Sequence, residues 1–289
     1  MTAARRQTLR EILAGAGCVR PASVYDALSA RIAAQIGFEM GMLGGSTASL
    51  AVLGDPDLVV LTLTELAEQV RRIARAAHLP LLVDADHGFG NALNVRRTVQ
   101  ELEAAGAAGL TIEDTLLPQA YGAAATQFIS IPEGVGKMRA ALAGRSEPEL
   151  VVVGRTGAAS VAGLDEAIAR ARAYEAAGVD ALFLTGLKTR AQLQAVAAAT
   201  RLPLILGNTD GELDDAAFLA SQRVRIANQG HAPIQAAVQA IYSTMKALRD
   251  GVPPKQLTGL ALGALMAGVS DEAAFKARSA DWLGLQGQG

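Results

Sequence analysis

Apolar residues in this chain gather in short unbroken runs, and longer stretches with a helical repeat lie between them. Eight runs read as strands: 22–25, 40–43, 81–84, 109–113, 150–154, 181–185, 202–206 and 225–227. They lack the apolar–polar alternation of a half-exposed sheet, which is the pattern of parallel strands buried on both faces. Residues 63–77, 164–177 and 191–199 have the periodicity of amphipathic helices. Val95, Val99, Leu102 and Ala105 keep the same spacing just before a glycine.

An internal repeat sets the building unit. Glu103-Ala-Ala-Gly106-Ala-Ala-Gly-Leu110 is echoed 72 residues later by Glu175-Ala-Ala-Gly178-Val-Asp-Ala-Leu182. Each copy ends a helix and opens a strand, with Gly106 and Gly178 where a left-handed backbone is needed. That spacing equals two units of roughly 36 residues, each one strand and one helix with their loops. Eight units without a linker predict an α/β fold, a (β/α)8 TIM barrel, spanning 1–289 as a single domain. A doubly wound open sheet is the alternative, but no glycine-rich dinucleotide fingerprint follows the first strand.

Composition narrows the classes of function. With 26 basic and 28 acidic residues, the chain lacks the basic face that a nucleic-acid partner requires. Its one cysteine, Cys18, excludes a disulfide framework and any multi-cysteine metal site. Residues 1–10 are basic without the apolar stretch of a signal peptide, and the apolar run 257–269 is too short to cross a bilayer. That run reads as a buried helix or a packing arm within a C-terminal segment, 252–289. A cytoplasmic protein with no membrane contact is the expectation.

Barrel active sites lie at the C-terminal ends of the strands, so the polar residues there are the candidates. The second strand ends in Gly44-Gly45-Ser46-Thr47, the third in Asp84-Ala85-Asp86-His87-Gly88 and the fourth in Glu113-Asp114. Arg155-Thr156 follows the fifth strand and Asn228-Gln229-Gly230-His231 the eighth. Asp84 and Asp86, two apart on an extended strand, point the same way and with Glu113 make an all-oxygen cluster. Such a cluster suits Mg²⁺, with Mn²⁺ as a second option. Helix capping explains any one of these acids but not three together.

Each remaining candidate has a plain reading beside the functional one. Arg155 is either a salt-bridge partner of the acids or a planar clamp for a substrate carboxylate. Ser46, with the backbone of Gly45, is either a turn or an anion contact. His231 is either a structural histidine or a hydrogen-bonding group facing the ligand. His87 can simply hold its loop, and His78 falls at the opposite end of the barrel. Lys188, just beyond the sixth strand, is too exposed for a Schiff base.

These residues carry a resemblance. Tyr25-Asp26-Ala27-Leu28-Ser29-Ala30, Gly44-Gly45-Ser46, Pro56-Asp57, Asp84-Ala85-Asp86-His87-Gly88-Phe89-Gly90-Asn91 and Ile112-Glu113-Asp114 resemble the isocitrate lyase and phosphoenolpyruvate mutase superfamily. Glu113-Asp114-Thr-Leu-Leu-Pro118, Glu133-Gly-Val-Gly-Lys137 and Gly230-His231 are similar to its oxaloacetate-decarboxylating branch. The resemblance implies a (β/α)8 barrel whose C-terminal helix is exchanged between neighbouring subunits, in a homotetramer built as a dimer of dimers. It implies Mg²⁺ held directly by Asp84 and through water by Asp57, Asp86 and Glu113. Ser46, Arg155 and His231 fall on substrate-contacting positions, and the small partner is an α-keto acid.

The implied reaction is loss of CO₂ from oxaloacetate to give pyruvate through a metal-stabilised enolate, with His231 and Arg155 in catalytic roles. The loop Pro118-Gln119-Ala120-Tyr121-Gly122 lacks the cysteine that the lyases carry, which disfavours a methylisocitrate-type cleavage. Two positions depart from the branch: Gly157 stands for an asparagine and Asn208 for a tyrosine. Carbon–carbon or phosphorus–carbon cleavage, and a non-catalytic metabolite-binding barrel, are the alternatives.

Overall fold

Eight short strands form one all-parallel sheet in the computed structural model, which describes residues 2–123 and 125–284. They are β1 (Ala22–Ser23), β2 (Gly41–Leu43), β3 (Leu81–Asp84), β4 (Gly109–Glu113), β5 (Val151–Thr156), β6 (Ala181–Leu184), β7 (Leu204–Leu206) and β8 (Val224–Ala227). Each pairs with the next in sequence order, which excludes the doubly wound alternative. Val19, just ahead of β1, bridges Ile226 of β8 in parallel, linking the two ends of the sheet.

Two apolar layers explain the unbroken runs. Met42, Leu82, Val151, Val153, Phe183, Ile205 and Ile226 share an inner cluster, whereas Leu81, Val83, Leu110, Val152, Leu182 and Leu204 pack in the larger outer one. Strand residues therefore need apolar side chains on both faces. The repeat is also accounted for. The helices Ala92–Ala105 and Leu164–Ala177 both end at a glycine with φ near +100°, Gly106 at 104° and Gly178 at 97°.

The basic N-terminus has a role that its composition hides. It forms the helix Thr2–Ala14, whose Leu9 and Leu13 enter the inner cluster. Arg5 and Arg6 of that helix are buried. Arg6 donates to the carbonyls of Ala107 and Glu103, at 3.2 and 2.9 Å.

The chain falls into two compact units, 1–231 and 232–289. The second contains the helices Ala232–Arg249, Gly263–Val269 and Glu272–Trp282. The expectation of a buried helix at 257–269 is not met, because Leu260, Leu262, Leu265 and Met266 are exposed and only Val269 is buried. Residues 285–289, the end of the proposed exchange segment, lie outside the described residues. Among the described residues no helix is long and apolar enough to cross a membrane.

Candidate active site

Strand register assembles the charged residues. Glu113 of β4 is level with Arg155 of β5, which is level with Phe183 of β6. Arg155 Nε therefore comes within 3.5 Å of Glu113 Oε2, and its guanidinium carbon lies 5.2 Å from the Phe183 ring centre. Likewise Asp84 of β3 is level with Thr111 of β4, whose hydroxyl donates to Asp84 Oδ1 at 3.0 Å. Arg155 Nη1 closes the group on Asp84 Oδ2 at 2.5 Å. β5 runs through Thr156, so Arg155 belongs to the strand rather than to the loop after it. Of its two readings, the salt bridge to the acids is the one seen.

Asp86 arrives by a different route from the one its spacing suggests. β3 stops at Asp84, and Asp86 has a left-handed backbone with φ 47°, so the two acids do not share an extended strand. The Asp86 N–H instead donates to Asp84 Oδ1 at 3.3 Å. Neither acid caps a helix, since Asn91 caps the helix that follows. Lys137 is buried and its Nζ donates to the His87 carbonyl at 2.8 Å, which holds this loop from behind.

The Gly44–Gly45 pair is a steric device. A Cβ on Gly44 would stand 2.7 Å from the His231 ring, and one on Gly45 would stand 2.6 Å from Asp86 Oδ1 and 3.6 Å from Asp57 Oδ1. Ser46 lies in the first turn of the helix Gly45–Val52 and is half-buried. His231 Nδ1 is 2.8 Å from Ser23 Oγ at the end of β1. Burial lowers the His231 imidazole from its usual value even with Asp84 and Asp57 nearby, so it is neutral at pH 7.

The electrostatics are short of positive charge. Burial raises Asp84, but Arg155, the Thr111 hydroxyl and the Asp86 N–H pull it below the usual aspartate value. Asp86 is pushed up to about 8 by burial and then by Asp84, Asp57 and Glu113. Glu113 is raised by burial, with Asp84 adding to that, and Asp57 is raised by reduced hydration and Asp84. Burial opposes the Arg155 charge, but Asp84 and Glu113 hold the guanidinium firmly protonated. One guanidinium thus faces four carboxylates.

A hard divalent cation fits that imbalance and that all-oxygen donor set. Asp84 uses three of the four lone-pair sites of a carboxylate, leaving one for a metal. Among the described residues no three acidic, histidine or cysteine side chains converge into a protein-only cage. Mg²⁺ keeps most of its water and takes one or two direct carboxylates, so it requires no such cage.

Beside the acids lies a cavity of about 270 Å³. Asp84, Arg155, Ser23 and His231 line it together with Thr185, Lys188 and Asn208. The two departures from the family pattern both bear on this cavity. A Cβ on Gly157 would stand 3.0 Å from Thr185 Oγ1, so the glycine leaves room for that hydroxyl, while Asn208 is an exposed residue of the lining. Cys18 precedes β1, at the opposite end of the strands. Ser23, Thr111, Thr185 and Phe183 escaped the sequence reading because each sits inside or just after an apolar strand run, with no motif of its own.

The comparisons with known proteins agree with this geometry. Residues 9–249 match the family model described as phosphoenolpyruvate phosphomutase. A relative from Bradyrhizobium diazoefficiens named oxaloacetate decarboxylase is 67% identical over 98% of both chains. Another of that name, from Rhodopseudomonas palustris, is 66% identical over 98% of both. Among solved structures, an oxaloacetate acetylhydrolase with its product oxalate has a TM-score of 0.84 at 28% identity, over 96% of this chain and 98% of that one. A phosphonopyruvate hydrolase with oxalate and Mg²⁺ has a TM-score of 0.84 at 31% identity, over 96% and 99%. On sequence and fold alike, the chain belongs to the phosphoenolpyruvate phosphomutase family, within the PEP mutase/isocitrate lyase superfamily.

Proposed function

We propose that this chain is a carboxy-lyase that converts oxaloacetate, or a close 2-oxo dicarboxylate, to pyruvate and CO₂ with Mg²⁺ as cofactor. The observation that carries the reading is the cluster of Asp57, Asp84, Asp86 and Glu113 against Arg155, beside a cavity that also holds His231. Relatives named for this activity at 64–67% identity support it.

Asp84 is assigned as the direct metal ligand, and Asp57, Asp86 and Glu113 hold the ion through water. Bound there, a divalent ion supplies a Lewis acid for the negative charge that develops on the keto oxygen as CO₂ leaves. Arg155, with the Gly45 and Ser46 backbone and hydroxyl, orients the carboxylate next to the keto group. His231, fixed by Ser23, faces the cavity with a neutral imidazole and meets the group whose charge changes. A Schiff base has no suitable lysine here, since Lys137 is bound to the His87 carbonyl and Lys188 is exposed. Solvent water supplies the proton that completes pyruvate after CO₂ leaves, so the loop at 118–122 needs no cysteine for this reaction.

The expected assembly is a homotetramer, a dimer of dimers that exchanges C-terminal helices, and the free Cys18 is in keeping with a cytoplasmic setting. The deciding experiment incubates the protein and Mg²⁺ with oxaloacetate and quantifies products, with methylisocitrate and phosphonopyruvate in parallel. Pyruvate and CO₂ from oxaloacetate alone support the reading. Oxalate and acetate, or turnover of another substrate only, overturn it. Asp84→Ala should abolish both Mg²⁺ binding by calorimetry and turnover while keeping its fold, because Arg155 retains Glu113 as a partner.

A further inference from the structure

Two basic residues line the 270 Å³ cavity, Arg155 and Lys188. Their situations differ. Arg155 is engaged by Asp84 at 2.5 Å and by Glu113 at 3.5 Å. Lys188 makes no ion pair among the described residues, whereas Arg190, two residues on, engages two acids. Arg190 Nη2 binds Asp215 Oδ2 at 2.8 Å, and the Arg190 N–H binds Glu212 Oε2 at 3.0 Å.

The backbone that carries Lys188 is fixed. Its N–H and that of Thr189 both donate to Gln192 Oε1, at 2.7 and 3.2 Å. Two residues earlier, Gly186 has φ 83°, and a Cβ there would stand 2.6 Å from the Ser160 side chain. That close approach sets the turn against its neighbour. Lys188 thus stands on the cavity lining with a pinned backbone and an exposed, unpaired side chain.

Charge balance supplies the ligand. The acid cluster and Arg155 remain net negative, and a divalent ion satisfies that end. A 2-oxo dicarboxylate brings two carboxylates, of which one lies beside the keto group at the metal end. The other has no cation there to meet it.

We propose that Lys188 determines specificity by pairing with the second carboxylate of a 2-oxo dicarboxylate, with Thr185 and Asn208 as its hydrogen-bonding neighbours. This rests on the reading of the site given above. The pair forms with the group that departs as CO₂, so it stabilises bound substrate at least as much as the transition state. Its signature is in KM and not in kcat. Because Lys188 is exposed, the attraction is screened, and KM for the native protein rises with salt.

The test uses Lys188→Gln and Lys188→Glu in the full chain with saturating Mg²⁺. Lys188→Gln is expected to raise KM for oxaloacetate roughly fivefold, the size of an exposed ion pair at its upper end, and to flatten the salt dependence. Lys188→Glu raises KM further, and kcat stays within about twofold in both. Calorimetry separates this inference from the decarboxylase reading. Malate, a four-carbon dicarboxylate, should bind Lys188→Gln roughly fivefold more weakly, while oxalate, whose two carboxylates are directly bonded, binds unchanged. If malate and oxalate weaken equally, or neither does, Lys188 does not read the second carboxylate. If the malate-to-oxalate ratio shifts while oxaloacetate is not turned over, the inference stands and the decarboxylase reading falls.

Discussion

Gly45 has no side chain, and the space so left is where Asp86 and Asp57 bring their carboxylates together. An alanine there meets the tip of Asp86, which can swing aside, so folding stability should suffer little. The displaced oxygen is one assigned to hold Mg²⁺ through water, and disturbing such outer partners typically weakens metal affinity 10- to 100-fold. Gly45→Ala is therefore expected to bind Mg²⁺ about tenfold more weakly with an unchanged melting temperature, by calorimetry and thermal denaturation. Equal Mg²⁺ affinity in that variant speaks against the water-mediated role of Asp86. His231 makes a complementary case, since its ring packs on Gly44 and is held by Ser23. His231→Gln should lower kcat roughly 100-fold, the contribution of one well-placed hydrogen-bond donor. An unaltered kcat makes the histidine structural. Asp84, Asp86, Glu113 and Arg155 were legible in the sequence because they lie at or just beyond the ends of apolar runs, whereas Asp57 came only from the family resemblance. The steric task of the glycines was not, because it depends on what β1, β3 and the segment after β8 bring across from elsewhere.

Glu103 and Glu175, the first residues of the two repeat copies, show what an element needs beyond its apolar face. Glu103 accepts from the Ser146 N–H at 2.8 Å, the Ser146 hydroxyl at 2.6 Å and the Glu147 N–H at 2.9 Å, in the loop that leads into β5. Glu175 accepts from the Arg201 N–H at 2.9 Å, ahead of β7. Each glutamate ties its helix to the loop that closes the next unit, ahead of the strand after it. Burial raises the Glu103 carboxyl, but the Ser146 and Glu147 donors and then Arg6 bring it below its ordinary value of 4.5. A depressed folded-state value means the contribution is whole above the unfolded value and is lost as pH falls through the folded one. Glu103→Gln should thus be less stable than the native chain at pH 7, by about 1–3 kcal/mol in urea unfolding. The gap should close as pH falls below about 4. A gap that persists at low pH removes the charge from the explanation. At this scale the sequence spoke clearly where geometry is local: β3 and β4 have the expected limits, and the helices at 164–177 and 63–76 were visible in their periodicity. It spoke less clearly where tertiary bonds decide. β7 starts at Leu204 rather than 202 because Pro203 has no N–H for a ladder. The helix Thr2–Ala14 was hidden because its arginines are buried by bonding to carbonyls.

At the scale of the whole molecule, the unit 232–289 carries the apolar surface still to be accounted for. On the helix Ala232–Arg249, Val238, Ile241, Tyr242, Met245 and Leu248 are all exposed. Their spacing of three and four residues places them along one stripe. Leu262, Leu265, Met266, Phe275 and Trp282 add further exposed apolar side chains in the same unit. A soluble single chain seldom leaves so much apolar area in contact with water, and large exposed patches of this kind mark association surfaces. A second copy of the same chain is the partner that symmetry favours, since one patch then serves both sides of the contact. The exchange of C-terminal helices expected from the family resemblance would cover such a stripe without any new element. Placing charge in its middle tests this directly: Ile241→Glu combined with Met245→Glu should turn the native oligomer into smaller species in analytical ultracentrifugation. Truncation after Gly251 should do the same or give aggregates, because it removes the segment to be exchanged and leaves the stripe uncovered. A native chain that sediments as a monomer, or a double variant that keeps the native oligomer, assigns the stripe some other purpose. The acid cluster, Arg155 and His231 all come from residues 1–231, so the test can also be read through Mg²⁺ affinity. If the dissociated variant retains it, the metal centre is complete within one subunit.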